Sequence, residues 1–144
     1  MERTVTREVV LDTTADELWT LLTDPTELGD WLGDEVRFDP TPGGAASVVD
    51  GGTVRHGRVL EAERGRRLGF TWWPADDETA ASTVSFTLAE EEGRTRLTVV
   101  ETIPAPQGTA KACSLVDAGA AWDDRLLGLE VRLLTRPAPV LALA

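Results

Sequence analysis

The sequence predicts an α+β domain in which an antiparallel sheet of about seven strands curls around a long C-terminal helix. Short segments that alternate apolar and polar residues follow one another along the chain, and glycine-containing turns separate them. Two helix-start signals lie between the first and second of these segments, and a long amphipathic segment follows the last. Because the sheet has one apolar face and the helix one apolar stripe, each can bury the other.

Two short helices are predicted after the first strand, which spans residues 4–11. Thr14 to Glu17 has the pattern of a capping box and opens the first helix. Asp24 followed by Pro25 predicts the start of a second helix, which should end near Gly33. Their apolar faces carry Leu18, Trp19, Leu21 and Leu22 in the first helix and Leu28, Trp31 and Leu32 in the second.

Most of the remaining chain predicts hairpin-linked strands and one final helix. Gly51-Gly52 and Glu92-Gly93 have the composition of tight turns. The predicted strands span 35–39, 46–50, 53–63, 67–73, 82–89 and 95–103. The helix spans about 114–134, and its apolar stripe is Leu115, Ala118, Trp122, Leu126, Leu129 and Leu133, with Asp117, Asp123, Asp124, Glu130 and Arg132 opposite.

Composition excludes several classes of function. The 144 residues suit one domain, predicted over 1–136, with a proline-containing tail over 137–144. A net charge of −11 argues against nucleic acid and anionic membranes as partners. Cys113 is the single cysteine and His56 the single histidine, so no internal disulfide and no standard zinc site is expected. We expect a soluble cytoplasmic protein without metal or cofactor, as a monomer or homodimer.

The chain resembles the START-like (SRPBCC, helix-grip) superfamily, and within it the branch of homologues of the activator of the heat-shock-protein-90 ATPase. The resemblance runs from about Val5 to about Leu134. It departs from the branch at Glu101, where a histidine is frequent, and at Ala121-Trp122, where a Gly-Trp pair is frequent. The segments that carry it are 9–19 (VVLDTTADELW), 24–31 (DPTELGDW), 42–44 (PGG), 57–61 (GRVLE), 67–72 (RLGFTW) and 95–99 (TRLTV).

The candidate ligand site is the space between the sheet and the last helix, where a twisted sheet and a straight helix leave pockets. Its aromatic side chains either line a pocket for a flat apolar ligand or simply fill the core. Trp31, at a helix end, is the best candidate for the pocket mouth. Arg55 or Arg58 could hold a ligand carboxylate, although such arginines more often pair across strands. The full set of candidate ligand-binding residues is Trp31, Arg55, Phe70, Trp72, Phe86, Val99, Trp122 and Leu126.

Two residues are candidates for acid–base chemistry. Glu101 shares the inward register of Leu97 and Val99, so its carboxyl group is expected on an apolar face unless the strand end is already in solvent. There it could act as a general acid or base or anchor a ligand by hydrogen bonding. His56 could assist proton transfer, although a lone histidine is more often a surface residue.

Three functions remain open from the sequence. The first is binding of a small hydrophobic molecule in this cavity, with an aromatic ligand as one option. The second is cyclase or aldol-type catalysis in the same cavity, with Glu101 and His56 moving protons. The third, which the resemblance implies, is a protein partner, namely assistance to a chaperone ATPase. Fold alone does not choose among them.

Overall fold

A computed structural model describes residues 3–104 and 115–135 of the chain. The predicted tail and Cys113 lie outside the described residues. The elements in chain order are β1 (Arg3–Leu11), α1 (Ala15–Thr23), α2 (Pro25–Leu28), β2 (Glu35–Phe38), β3 (Ala45–Asp50), β4 (Thr53–Glu63), β5 (Arg67–Pro74), a 3₁₀ turn (Glu78–Ala80), β6 (Ser82–Glu91), β7 (Arg94–Ile103) and α3 (Leu115–Thr135).

The strands form a seven-stranded sheet in the order β1-β7-β6-β5-β4-β3-β2. Every neighbouring pair is antiparallel, and β1 pairs with β7, so the first and last strands of the chain lie side by side. The predicted α+β class, with two short helices between the first and second strands, is confirmed.

The helix starts follow local signals, whereas one helix end does not. Thr14 caps α1, because its hydroxyl accepts a hydrogen bond from the backbone N–H of Glu17 at 3.2 Å. Only half of the capping box forms, since the Glu17 carboxylate accepts from the Thr13 hydroxyl at 2.6 Å. The expected end of α2 near Gly33 is wrong. The regular helix ends at Leu28, and turns then carry Trp31 back to the core, where its indole N–H donates to the carbonyl of Leu21.

The core lies between the sheet and α3. The buried face of α3 carries Ala118, Trp122, Leu126 and Leu129, as the apolar stripe predicts, and Leu133 is half-buried. On the same helix, Leu127 is 60% exposed. Among the helices of the described residues, none combines the length and the apolar character needed to cross a bilayer.

Gly57 allows β4 and β5 to pair closely, because it has no side chain where the two backbones approach. It lies opposite Trp72, and a Cβ atom there would stand 2.6 Å from the carbonyl oxygen of Thr71 and 3.3 Å from the Cβ of Trp72. Backbone cannot move aside as a flexible side chain can. We therefore expect Gly57→Ala to lower the free energy of unfolding by about 1–3 kcal/mol, as overpacking does, in urea titrations followed by circular dichroism.

Gly29→Ala is the matched control, because the nearest atoms to an added Cβ there lie at 3.5 Å, an ordinary contact. It should change the stability by less than about 0.5 kcal/mol. Equal stabilities of the two variants would show that the strands at Gly57 have room for a side chain.

Candidate functional site

The centre of the molecule is a cluster of aromatic side chains. Trp72 lies edge-on to Phe70 with ring centroids 5.4 Å apart, and it stacks on Trp122 at 6.0 Å with an interplanar angle of 27°. Phe86 contacts Phe70 at 5.7 Å and Trp122 at 5.8 Å, while Trp31 closes the cluster against Phe86 at 6.1 Å. These rings come from α3, from strands β5 and β6, and from the turn after α2.

Strand alternation places most of these residues. On β5, Phe70 and Trp72 face the core, whereas Trp73 lies half-buried on the outer face. All of the candidate ligand-binding residues except Arg55 are buried in the described structure, and Arg55 is half-buried. The structure therefore brings this predicted set together at one place between the sheet and α3.

Glu101 lies at the edge of the aromatic cluster, and its carboxylate accepts three hydrogen bonds. Its side chain points inward from β7, and the residue is 7% exposed. Oε2 accepts from the indole N–H of Trp72 at 2.9 Å and from the hydroxyl of Ser82 at 2.5 Å, and Oε1 accepts from the indole N–H of Trp122 at 2.9 Å. These charge-assisted bonds offset the cost of removing a carboxylate from water.

Arg125 brings a positive charge to the same two tryptophans. The residue is 7% exposed, and its guanidinium carbon lies 4.9 Å from the ring centroid of Trp122 and 5.1 Å from that of Trp72. Each indole thus meets a cation over its ring and a carboxylate at its N–H edge, an arrangement that matches the charge distribution of an aromatic ring. Asp50 approaches the guanidinium from the β3–β4 end, at 3.8 Å.

Two members of this cluster were missed by sequence reasoning. Arg125 follows Trp122 by three residues and precedes Leu129 by four, which places it on the apolar stripe of α3. Ser82 alternates in step with Val84 and Phe86, which places it on the inner face of β6. Each signal was present in the sequence as a polar residue at a position predicted to be buried.

The two candidate catalytic residues are not brought together. His56 is exposed on the outer face of β4, where it pairs with Trp73 across the strands. Glu101 faces the core on the other side of the sheet. Proton transfer shared between these two side chains is therefore excluded by the sheet that lies between them.

A small internal space and an open pocket lie next to the aromatic cluster in the described part of the chain. Between Phe70, Trp72 and the neighbouring strands β3 and β4, the free space is about 10 Å³, about enough for one water molecule. An open pocket of about 330 Å³ lies beside it, at the middle of α3, where Arg125 and Ala121 approach the turn after α2. The lining of this pocket is Gly29, Asp30, Trp31, Leu32, Gly33, Asp34, Asp50, Ala121, Asp124 and Arg125.

A seven-stranded antiparallel sheet curled on a C-terminal helix is the helix-grip architecture of START-like proteins, as the sequence resemblance implied. Residues 12–131 match the family described as activator of Hsp90 ATPase homolog 1-like protein. The chain belongs to this family. No curated protein matches it in sequence.

Solved structures share the fold over most of the chain. DynU16, from the dynemicin biosynthetic locus, is 27% identical with a TM-score of 0.79, over 92% of this chain and 47% of that one, so this chain spans about half the length of DynU16. CalU16 from Micromonospora echinospora is 26% identical with a TM-score of 0.75, over 92% and 76%. PFC0360w, an HSP90 activator from Plasmodium falciparum, is 24% identical with a TM-score of 0.75, over 92% and 96%, a likeness of fold alone.

Proposed function

We propose that the protein binds a small hydrophobic molecule with a flat, aromatic body between the sheet and α3. The observation that carries the proposal is the position of Arg125. This side chain lines the open pocket of about 330 Å³ and also covers the rings of Trp72 and Trp122. A ligand that enters the pocket therefore meets the guanidinium of Arg125 next to two stacked indoles.

The chemistry of the pocket supports this class of ligand. Trp31 contributes an aromatic wall, and its N–H is already bonded to the carbonyl of Leu21, so its ring can offer an apolar surface without an unsatisfied donor. Binding sites for small molecules commonly combine aromatic walls with a few placed polar groups. The likeness to DynU16, a protein of a biosynthetic locus, supports a small-molecule partner.

We expect a panel of flat aromatic compounds to contain at least one that raises the melting temperature by several degrees and quenches the tryptophan fluorescence. Ligand binding stabilises the folded state by mass action, and Trp31 lines the proposed site while Trp72 and Trp122 contact Arg125, another lining residue. Thermal shift and fluorescence titration measure the two effects, and native mass spectrometry of gently purified protein tests for a bound molecule that co-purifies.

Trp31→Leu and Trp73→Leu form a matched pair for this test, since the second tryptophan lies on the outer face of β5. The affinity should fall at least about tenfold in the first variant and stay unchanged in the second, because only Trp31 lines the pocket. A protein that arrives empty and ignores the whole panel would contradict the proposal.

Catalysis by Glu101 is the second candidate, favoured by its buried carboxylate. Three donors from Trp72, Ser82 and Trp122 already occupy its two oxygens, an arrangement better suited to holding the cluster together than to taking a proton from a substrate. Turnover of a bound compound that disappears in Glu101→Gln while binding persists would favour the enzyme. Binding without turnover in the native protein favours the first candidate.

A chaperone partner is the third candidate, favoured by the family description alone. Co-elution of the purified chain with an Hsp90-type chaperone, unaffected by Trp31→Leu, would support it. Binding of a small molecule and binding of a chaperone can be measured on the same sample, so the two candidates are tested independently.

A further inference from the structure

We infer that the ligand carries one carboxylate on its aromatic body and that Arg125 and Arg55 hold this group beside Trp72. The inference rests on the proposed binding function and names the chemical class of its ligand. It is drawn from the guanidinium groups of Arg125 and Arg55, which both lie over the Trp72 ring, and of these two side chains Arg125 also lines the open pocket.

Two guanidinium groups converge on Trp72 from different elements. Arg125 reaches the ring from α3, with its guanidinium carbon 5.1 Å from the centroid, and Arg55 reaches it from β4 at 4.8 Å. This convergence occurs in a chain with 25 acidic and 14 basic residues, so positive charge is the scarcer kind. A guanidinium fork matches a carboxylate with two parallel hydrogen bonds, and the indole supplies a face for the attached ring.

Asp50 shows that a carboxylate can approach Arg125 from the pocket. Its side chain lines the same pocket, and its Oδ2 lies 3.8 Å from Nη2 of Arg125, beyond hydrogen-bonding distance. The side chain of Asp50 is 48% exposed, so water weakens this pair, whereas that of Arg125 is only 8% exposed. A ligand carboxylate that reached the guanidinium would interact with it in a less polar environment than Asp50 does.

The remaining carboxylates of the pocket limit the charge of the ligand. Asp30, Asp34 and Asp124 are exposed at the rim. Asp30 pairs with Arg132 at 2.9 Å, and Asp34 accepts a hydrogen bond from the backbone of Gly51 at 3.0 Å. Their field is screened by water and salt but still disfavours several negative charges on one ligand. A ligand with a single carboxylate at its buried end would pair with Arg125. Its aromatic body, being uncharged, would not be repelled by the aspartates at the rim.

The test compares naphthalene carboxylate with naphthalene carboxamide, which has nearly the same shape and no charge. We expect the native protein to bind the carboxylate at least about tenfold more tightly, by calorimetry or tryptophan fluorescence. Arg125→Gln and Arg55→Gln should each remove most of this preference. Arg58→Gln is the matched control, because Arg58 lies on the same strand as Arg55 and is exposed on its outer face. Asp50→Asn should tighten binding of the carboxylate, since it removes an internal competitor.

The outcomes separate this inference from the function on which it rests. Equal binding of the two probes, or binding of uncharged panel compounds but of neither probe, would overturn the inference and leave the binding function intact. If no probe and no panel compound binds, both are wrong. Should Arg125→Gln fail to fold, Arg55→Gln and Asp50→Asn decide the result, because those side chains are half-buried and exposed, respectively.

Discussion

Trp122→Ala is expected to lower the free energy of unfolding by about 4 kcal/mol, in the middle of the range for replacing a large aromatic core residue by alanine. The side chain is fully buried, stacks on Trp72 and packs edge-on against Phe86. Its removal also takes one hydrogen bond from Glu101 and one aromatic ring from beneath Arg125. Equilibrium unfolding in urea, followed by far-ultraviolet circular dichroism, measures the loss.

Two further variants separate the causes of this loss. Leu127→Ala changes an exposed residue of the same helix and should alter the stability by less than about 0.5 kcal/mol. Trp122→Phe keeps a ring in the core but cannot donate to Glu101, so an intermediate loss of about 1–3 kcal/mol is expected. If Trp122→Ala costs no more than Leu127→Ala, the aromatic cluster is not the stabilising core that the packing indicates.

Glu101→Gln is expected to destabilise the protein by about 2–3 kcal/mol, although the two side chains have the same shape. The carboxylate accepts from Trp72 and Ser82 at one oxygen and from Trp122 at the other. An amide has only one oxygen, so in either orientation its NH₂ group faces an indole N–H, and two donors meet. The substitution also removes a negative charge from the cluster that contains the guanidinium of Arg125.

Glu8→Gln is the control for the change of residue type. Glu8 is exposed on β1 and pairs with Arg96 at 3.3 Å, so its loss should cost less than about 0.5 kcal/mol. A Glu101→Gln variant more stable than the native protein would contradict the structural role. It would show that the buried carboxylate lowers the stability of the protein. Such a cost is typical of residues that are kept for activity.

Most of the fold could be predicted because its signals are local. Alternation along β7 predicts which side chains face inward, and Thr14 predicts the start of α1, since each depends only on residues nearby in the chain. The end of α2 was the main error. The sequence through Trp31 and Leu32 continues a helical spacing, but the structure instead turns the chain at Gly29 and directs Trp31 toward Leu21.

For the candidate site too, local sequence patterns predicted one part and the tertiary structure decided the rest. The sequence by itself placed Trp72 and Trp122 on interior faces and put Glu101 in the same register as Leu97 and Val99, because strand and helix periodicity are properties of each segment alone. Only the structure decided between a buried Glu101 and one at a strand end in solvent, and the residue is buried. Only the tertiary structure decided that one carboxylate accepts from β5, β6 and α3 at once, and that Arg125 and Arg55 meet at Trp72. Periodicity assigns a face to a residue, but which residues meet across that face depends on the register of the strands and the placement of the helix, which are set by packing between segments far apart in the chain.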